Sequence, residues 1–313
     1  MSRKRAGEPS IGFVASGDLS DAAEMEHLPI DSLWTGGHVA SRNASPEALM
    51  SLARLSAVTS RVRLGTSILL LPLYPPAIVA KQIADLDRAT SGRLVLGVGV
   101  GGEYPQEFRA CGVPVAERGP RTDEAIPLIR RLWTGQPVSH DGPFFPMQDV
   151  RIHPAPAQSG GPPIVVAGRK PPAMRRAALL GDGWMPYLYS PRRYAQSVQA
   201  IETVAARAER DLSGFEWYAW VFVNVDPDPD RAKRQAAATM GGAYDQDFRP
   251  MVDRVAAAGD IAQVTDRLKE FVDAGAHHFI FMPASGGDDP KPVIDRLLDQ
   301  VWPAVRTHAT GVV

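Results

Sequence analysis

Along most of the chain, short runs of apolar and β-branched residues alternate with longer stretches of helical periodicity. That alternation marks βα units around a buried parallel sheet, because only a strand covered on both faces reads as continuously apolar. The strand runs are expected at 11–15, 32–34, 62–70, 93–98, 164–167, 183–186, 216–225 and 278–282. Helices are expected at 18–28, 46–58, 76–88, 105–110, 118–133, up to 180 after 168–172, 191–210, 229–258, 261–274 and 290–305. Several carry start and stop signals: Ser45 precedes a proline at a first helical position, and Ser91-Gly92 ends the helix that opens at Pro76. At 313 residues, one large barrel and two smaller domains are both open. About eight successive βα units favour a single (β/α)8 TIM barrel with insertions, an α/β fold.

Residues 134–162 interrupt the rhythm with Gly135, Pro137, Gly142, Pro143, Pro146, Pro154, Pro156, Gly160 and Gly161. Regular units resume afterwards, so this stretch reads as an insertion holding a short hairpin and not as a linker. The domain is therefore expected to span residues 1–313, with 1–10 flexible and Arg3-Lys4-Arg5 a solvated terminus.

With 34 basic and 35 acidic residues the charge is balanced, and no basic face argues for nucleic acid. The single cysteine, Cys111, leaves no intrachain disulfide, and the polar stretch after the N-terminal charges gives no secretory signal. The longest apolar run, 68–73, is too short to span a bilayer. A cytoplasmic protein with no membrane segment is expected, and no His, Cys or carboxylate spacing resembles a metal site.

In a parallel barrel the reacting groups project from loops after the strands. His38 is the one histidine placed immediately after an expected strand end, where it can exchange a proton near neutral pH or simply bond a neighbouring backbone group. Gly97-Val98-Gly99-Val100-Gly101-Gly102-Glu103 lets backbone approach a flat ring or a phosphate, and a tight turn explains it equally well. Gly168-Arg169-Lys170 stands before a helix, where free N–H groups favour an anion, or forms an exposed basic turn. His277 and His278 precede the last strand on the opposite rim and read as structural.

Several segments together resemble the bacterial luciferase-like flavin-dependent oxidoreductases. They are Pro29-Ile30-Asp31-Ser32-Leu33-Trp34 leading to His38, Arg63-Leu64-Gly65-Thr66, Ala84-Asp85-Leu86-Asp87, and Ser91-Gly92-Arg93-Leu94-Val95-Leu96-Gly97-Val98-Gly99. Glu117-Arg118-Gly119, Arg121-Thr122-Asp123-Glu124, Leu132-Trp133-Thr134-Gly135 and Gly181-Asp182-Gly183-Trp184-Met185-Pro186 follow in order.

The resemblance implies a barrel binding the deazaflavin coenzyme F420, or alternatively FMN, at its C-terminal mouth. It implies that His38 is the active-site histidine. Gly37 stands where an acidic residue is often found, which puts a carboxylate partner in doubt. It further implies a bulge with a non-prolyl cis peptide at Ser67-Ile68, a cofactor-flanking loop at Gly101 and Gly102, and a phosphate turn at Gly168-Arg169. Gly37, Ser67, Ile68, Gly101, Gly102, Gly168 and Arg169 are thus the expected cofactor contacts. The Gly-Gly-Glu-Tyr-Pro form of residues 101–105 inclines the reading toward F420.

The implied reaction is hydride transfer to or from a small organic substrate, with an FMN-dependent monooxygenase and a non-catalytic flavin-binding paralogue as alternatives. Tyr104 and Tyr187, with Tyr189 and part of 240–250, are expected to line the substrate pocket. Family members often form homodimers, although nothing in this sequence marks an interface.

Overall fold

The computed structural model describes residues 8–311; the Arg3-Lys4-Arg5 run and residues 1–7 of the expected flexible start lie outside them. Ser10, expected in that flexible start, already belongs to a strand. The described residues form two compact units, neither of them one continuous stretch of chain. One comprises Ala15–Trp184 and Val204–Phe215; the other takes the residues up to Val14, Met185–Thr203 and those from Glu216 onward.

In the first unit the strands Ser32–Thr35, Arg63–Thr66, Leu94–Gly99 and Ile164–Ala167 lie side by side, every pairing parallel. Their residues are almost entirely buried, as a sheet covered on both faces requires. Close packing explains Gly65, where a Cβ would collide with the indole of Trp34. The helix Ala48–Ser56 starts at Glu47, whose carboxylate accepts from Met50 N at 2.7 Å. Helices Pro76–Ala89 and Arg118–Trp133 pack on each other, joined by the Trp133 indole N–H to Ala80 O at 3.0 Å.

The expected single strand 62–70 is two pieces, Arg63–Thr66 and Leu69–Leu70, separated at the cis Ser67–Ile68 peptide. The insertion does hold a hairpin, Val138–His140 against Met147–Val150, antiparallel. Glu124 anchors it by accepting from Phe145 N at 2.9 Å and pairing with His140 Nε2 at 3.0 Å.

The second unit has a parallel sheet in the order Ala256–Gly259, Glu216–Val225, His278–Pro283, Ser10–Val14. Alternation sorts its side chains onto two faces. Phe279, Phe281 and Phe13 point to one side, where Trp302 meets Phe279 at 5.5 Å and Phe281 at 6.0 Å between ring centres. Tyr218, Trp220, Phe222 and Asn224 take the other side, in register with His278, Ile280 and Met282.

Two helical expectations are corrected here. The run 229–258 is a helix Pro229–Tyr244, a loop, one turn at Val252–Val255, and then the strand Ala256–Gly259 beside Phe222–Val225. Alanines 256–258 favour helix locally, but pairing with a buried strand outweighs a propensity of a few tenths of a kcal/mol per residue. The last helix is interrupted by a π-helical turn at Leu297–Val301, just ahead of Pro303, which has no N–H to continue the α-helical ladder.

Candidate active site

Thr35 ends its strand with Gly36-Gly37-His38. The turn needs both glycines. A Cβ at Gly36 would stand 2.8 Å from Ser67 O, and one at Gly37 would run into the Pro46 carbonyl. Gly37 is therefore accounted for by packing against the next helix's approach. The His38 amide donates to Ser45 Oγ at 3.1 Å, which fixes the backbone as the imidazole leaves it.

The His38 ring meets Glu107. Nδ1 lies 3.2 Å from Oε2 and 3.3 Å from Oε1, and Val39 N donates to Oε2 at 3.2 Å. Glu107 is fully buried while His38 keeps 28% of its side chain exposed. With both carboxylate oxygens turned toward N–H groups, Nδ1 carries the ring hydrogen and Nε2 is left to exchange a proton. Tyr104 adds an edge-to-face contact, its ring centre 4.9 Å from that of His38 at 89°.

The carboxylate partner that Gly37 placed in doubt is thus supplied by Glu107, 69 residues further on. It sits in the helix Pro105–Ala110, opened by a proline directly after the glycine-rich strand end. Sequence reading found this helix and missed Glu107. The available signal was an acidic residue beside Phe108, a fully buried position in a short helix.

Polar groups gather around this pair. Tyr74 donates its hydroxyl to Glu47 Oε1 at 2.9 Å, and burial, reinforced by the Glu47 charge, pushes the phenol well above its ordinary range. Burial likewise pushes the Cys111 thiol up, with the charge of Glu107 adding to it.

The expected cofactor residues are distributed as follows. Ser67 N bonds Thr35 O at 2.7 Å, bringing the cis Ser67–Ile68 peptide to the end of the His38 strand. Ser67 Oγ is buried without a hydrogen-bond partner. The Ile68 side chain fills the space where a Cβ of Gly99 would go. Gly101 and Gly102 have φ of 60° and 119°, the region that favours glycine, and a Cβ on Gly102 would meet Arg118 Nε at 3.2 Å.

Gly168, at φ 134°, follows the strand Ile164–Ala167, and its carbonyl accepts from the Trp184 indole at 2.9 Å. Arg169 comes next, before the helix Pro171–Leu180. Tyr187 belongs to the other unit, where it bridges Trp220 and stacks on Tyr244 at 6.0 Å. Tyr189 is core: it is 3% exposed, with its hydroxyl 3.3 Å from Ser197 Oγ and Arg193 over its ring.

His278 is structural as expected, its Nδ1 2.6 Å from Ser10 Oγ and its ring stacked on Tyr218. Among the described residues no group of three His, Cys, Asp or Glu is placed to hold a metal ion, and no helix is long and apolar enough to cross a membrane.

Residues 19–278 match the model of the luciferase-like monooxygenase family. The chain belongs to this family of oxidoreductases. An F420-dependent glucose-6-phosphate dehydrogenase of Gordonia bronchialis is 27% identical, over 96% of this chain and 98% of the relative. Among solved structures, an F420-dependent secondary alcohol dehydrogenase in complex with an F420-acetone adduct superposes with a TM-score of 0.84 at 23% identity, covering 95% of this chain and 99% of the other. The oxygenating constituent of the 3,6-diketocamphane monooxygenase of Pseudomonas putida, in complex with FMN, gives 0.77 at 19% identity, with 95% and 98% covered. The fold of the luciferase-like chain is the (β/α)8 barrel read from its alternating units.

Proposed function

We propose that this luciferase-like enzyme is an F420-dependent oxidoreductase that moves a hydride between the deazaflavin and a small organic substrate. The His38–Glu107 pair at a strand end carries the reading, since a partly exposed imidazole held by a buried carboxylate suits proton exchange with an alcohol or carbonyl. The F420-dependent relatives support the choice of cofactor. FMN, with monooxygenation, is the second reading, favoured by the FMN-bound diketocamphane neighbour.

The residues fit a ring-shaped cofactor with a phosphate. Ser67 Oγ is an unsatisfied buried hydroxyl suited to a polar ring edge, and the residues Ser67 and Ile68 would hold a flat ring there. Gly101 and Gly102 allow close backbone approach. The turn Gly168-Arg169 before a helix suits the phosphate, with Arg169 adding charge. When bound, the deazaflavin supplies the hydride acceptor or donor.

In this mechanism His38 Nε2 takes the alcohol proton in oxidation and returns it in reduction. Glu107 holds the ring through Nδ1 and offsets the charge when Nε2 is protonated. Tyr104 limits the imidazole's rotation.

The chain acts as a single domain on a small-molecule substrate, a proposal supported by the interleaving of its two compact units along the sequence. A cytoplasmic homodimer completes it. The lone cysteine supports the compartment, and Met50 and Ile78, exposed on the packed helices Ala48–Ser56 and Pro76–Ala89, support the association.

Titrating the purified protein with F420 and with FMN, following fluorescence of each, tests the assignment. Tight binding of F420 with weak FMN binding is expected. Preference for FMN would replace the first reading by the second, and binding of neither would sink both.

A further inference from the structure

Within the first unit, the inserted hairpin stands against the helix Arg118–Trp133 and leaves a cleft beside it. The hairpin tip hangs on Glu124, which accepts from Phe144 N at 3.3 Å and from Phe145 N at 2.9 Å. About one turn earlier on the same helix face, the Arg121 guanidinium lies over both rings, 5.2 Å from the centre of Phe144 and 5.6 Å from that of Phe145. One helix face therefore fixes the tip through its backbone and aims its two aromatic side chains.

The cleft between this tip and residues 72–77 has a volume of about 470 Å³, inside the range of roughly 300–1,000 Å³ usual for small-molecule sites. Its lining is mostly apolar. Pro72, Leu73 and Val113 are buried, while Phe144 and Phe145 are only partly buried at its wall. Aromatic rings left open to solvent beside buried apolar residues form a surface that gains free energy when it is covered.

Arg121 is the one charged residue of this lining. Its Nε donates to Glu117 Oε2 at 2.8 Å, and its two terminal nitrogens have no hydrogen-bond acceptor among the described residues. A guanidinium oriented by one ion pair and two ring faces keeps a pair of donors matched to a carboxylate. The other titratable groups of the lining, Tyr74 and Cys111, stay neutral near pH 7, because burial pushes the phenol and the thiol up and the charges of Glu47 and Glu107 add to it. A doubly charged phosphate is poorly served: the helix Pro76–Ala89 opens here on Pro75 and Pro76, neither of which has an N–H to offer an anion.

We propose that this cleft is a second binding site, taking an aromatic monocarboxylate whose ring lies against Phe144, Phe145 and the Pro72–Leu73 wall and whose carboxylate accepts from the terminal nitrogens of Arg121. No residue of the lining is among the expected cofactor contacts, so the site stands whether the flavin is F420 or FMN. Ring burial supplies affinity there, and the guanidinium selects the charged end.

Calorimetric titration of the purified protein with cinnamate and with its uncharged counterpart cinnamamide tests it. Cinnamate is expected to bind about tenfold more tightly than cinnamamide, and Arg121→Gln to remove that advantage. Bound cinnamate is also expected to slow alkylation of Cys111 by iodoacetamide, since the thiol lines the same cleft. No binding of cinnamate, equal affinity for cinnamamide, an undiminished preference in Arg121→Gln, or alkylation of Cys111 at an unchanged rate would each overturn it. The two ligands and the alkylation rate are read on the unaltered protein, so the outcome is decided even where Arg121→Gln fails to fold.

Discussion

The end of the His38 strand and the face around Trp220 are built from opposite materials. Around His38 the backbone is crowded by glycines, and the decisive contacts are polar: Nδ1 to Glu107 and a buried Ser67 hydroxyl awaiting a partner. Around Trp220 the contacts are ring on ring, with one orphan donor and one orphan acceptor. On the reading proposed above, the first region serves proton exchange and the close approach of a flat group, while the second is a packed aromatic cluster. Polar contacts at a strand end and ring-on-ring packing on a sheet face therefore call for different substitutions to disturb them.

The largest expected effect comes from His38→Ala, which should lower turnover by about 10²–10⁴-fold while leaving F420 binding and the unfolding midpoint near their original values. Retention of full turnover would move the chemistry away from this strand end. Gly99→Ala attacks the geometry instead: its Cβ would enter the space of the Ile68 side chain, so a loss of about 1–3 kcal/mol in chemical denaturation is expected, together with weaker cofactor binding. An equally stable variant would show that the close approach at Ile68 is relaxed at little cost.

Glu107→Gln keeps the shape and removes the charge behind Nδ1. Turnover should fall about tenfold, roughly 1.4 kcal/mol, with a shifted pH profile and an unchanged KM. An unaltered pH profile would reduce Glu107 to a packing residue.

The smallest effect belongs to the opposite rim. Burial alone would raise the Glu26 carboxyl, but hydrogen bonds from Ser60 N, Arg61 N and Ser60 Oγ outweigh it and hold the group below its ordinary value. A carboxyl depressed in the folded state contributes stability above its unfolded value, and that contribution disappears as pH falls through the folded one. Glu26→Gln should therefore flatten the acid side of the stability curve, below about pH 4.5, and leave turnover at neutral pH unchanged. Lost activity would mean that the two rims are not separable.

Much of this was legible in the sequence because the informative signals are local. Strands such as Glu216–Val225 and Ile164–Ala167 are apolar runs with clean boundaries, and His38 follows its strand directly. Glu107 was not legible, since its meaning depends on a partner 69 residues away and no periodicity links the two. The strand Ala256–Gly259 was hidden by alanine, which reports helix propensity when the neighbouring strand is invisible. Tyr187, Tyr189 and Tyr244 look alike in sequence, and only packing separates the buried Tyr189 from the Tyr187–Tyr244 stack.

The pairing of Ser10–Val14 with His278–Pro283 has a further consequence, for synthesis on the ribosome. Residues 15–184 emerge as an almost complete run for their own unit, whereas the side of the first strand that meets His278–Pro283 must wait for a partner some 270 residues later, Ser10 opposite His278. At about 5–20 residues per second, that pairing closes on the order of ten seconds or more after the strand is made. Closure of this pairing is thus the last sheet contact the nascent first strand makes, and a circular permutant beginning after residue 14 would shorten that interval.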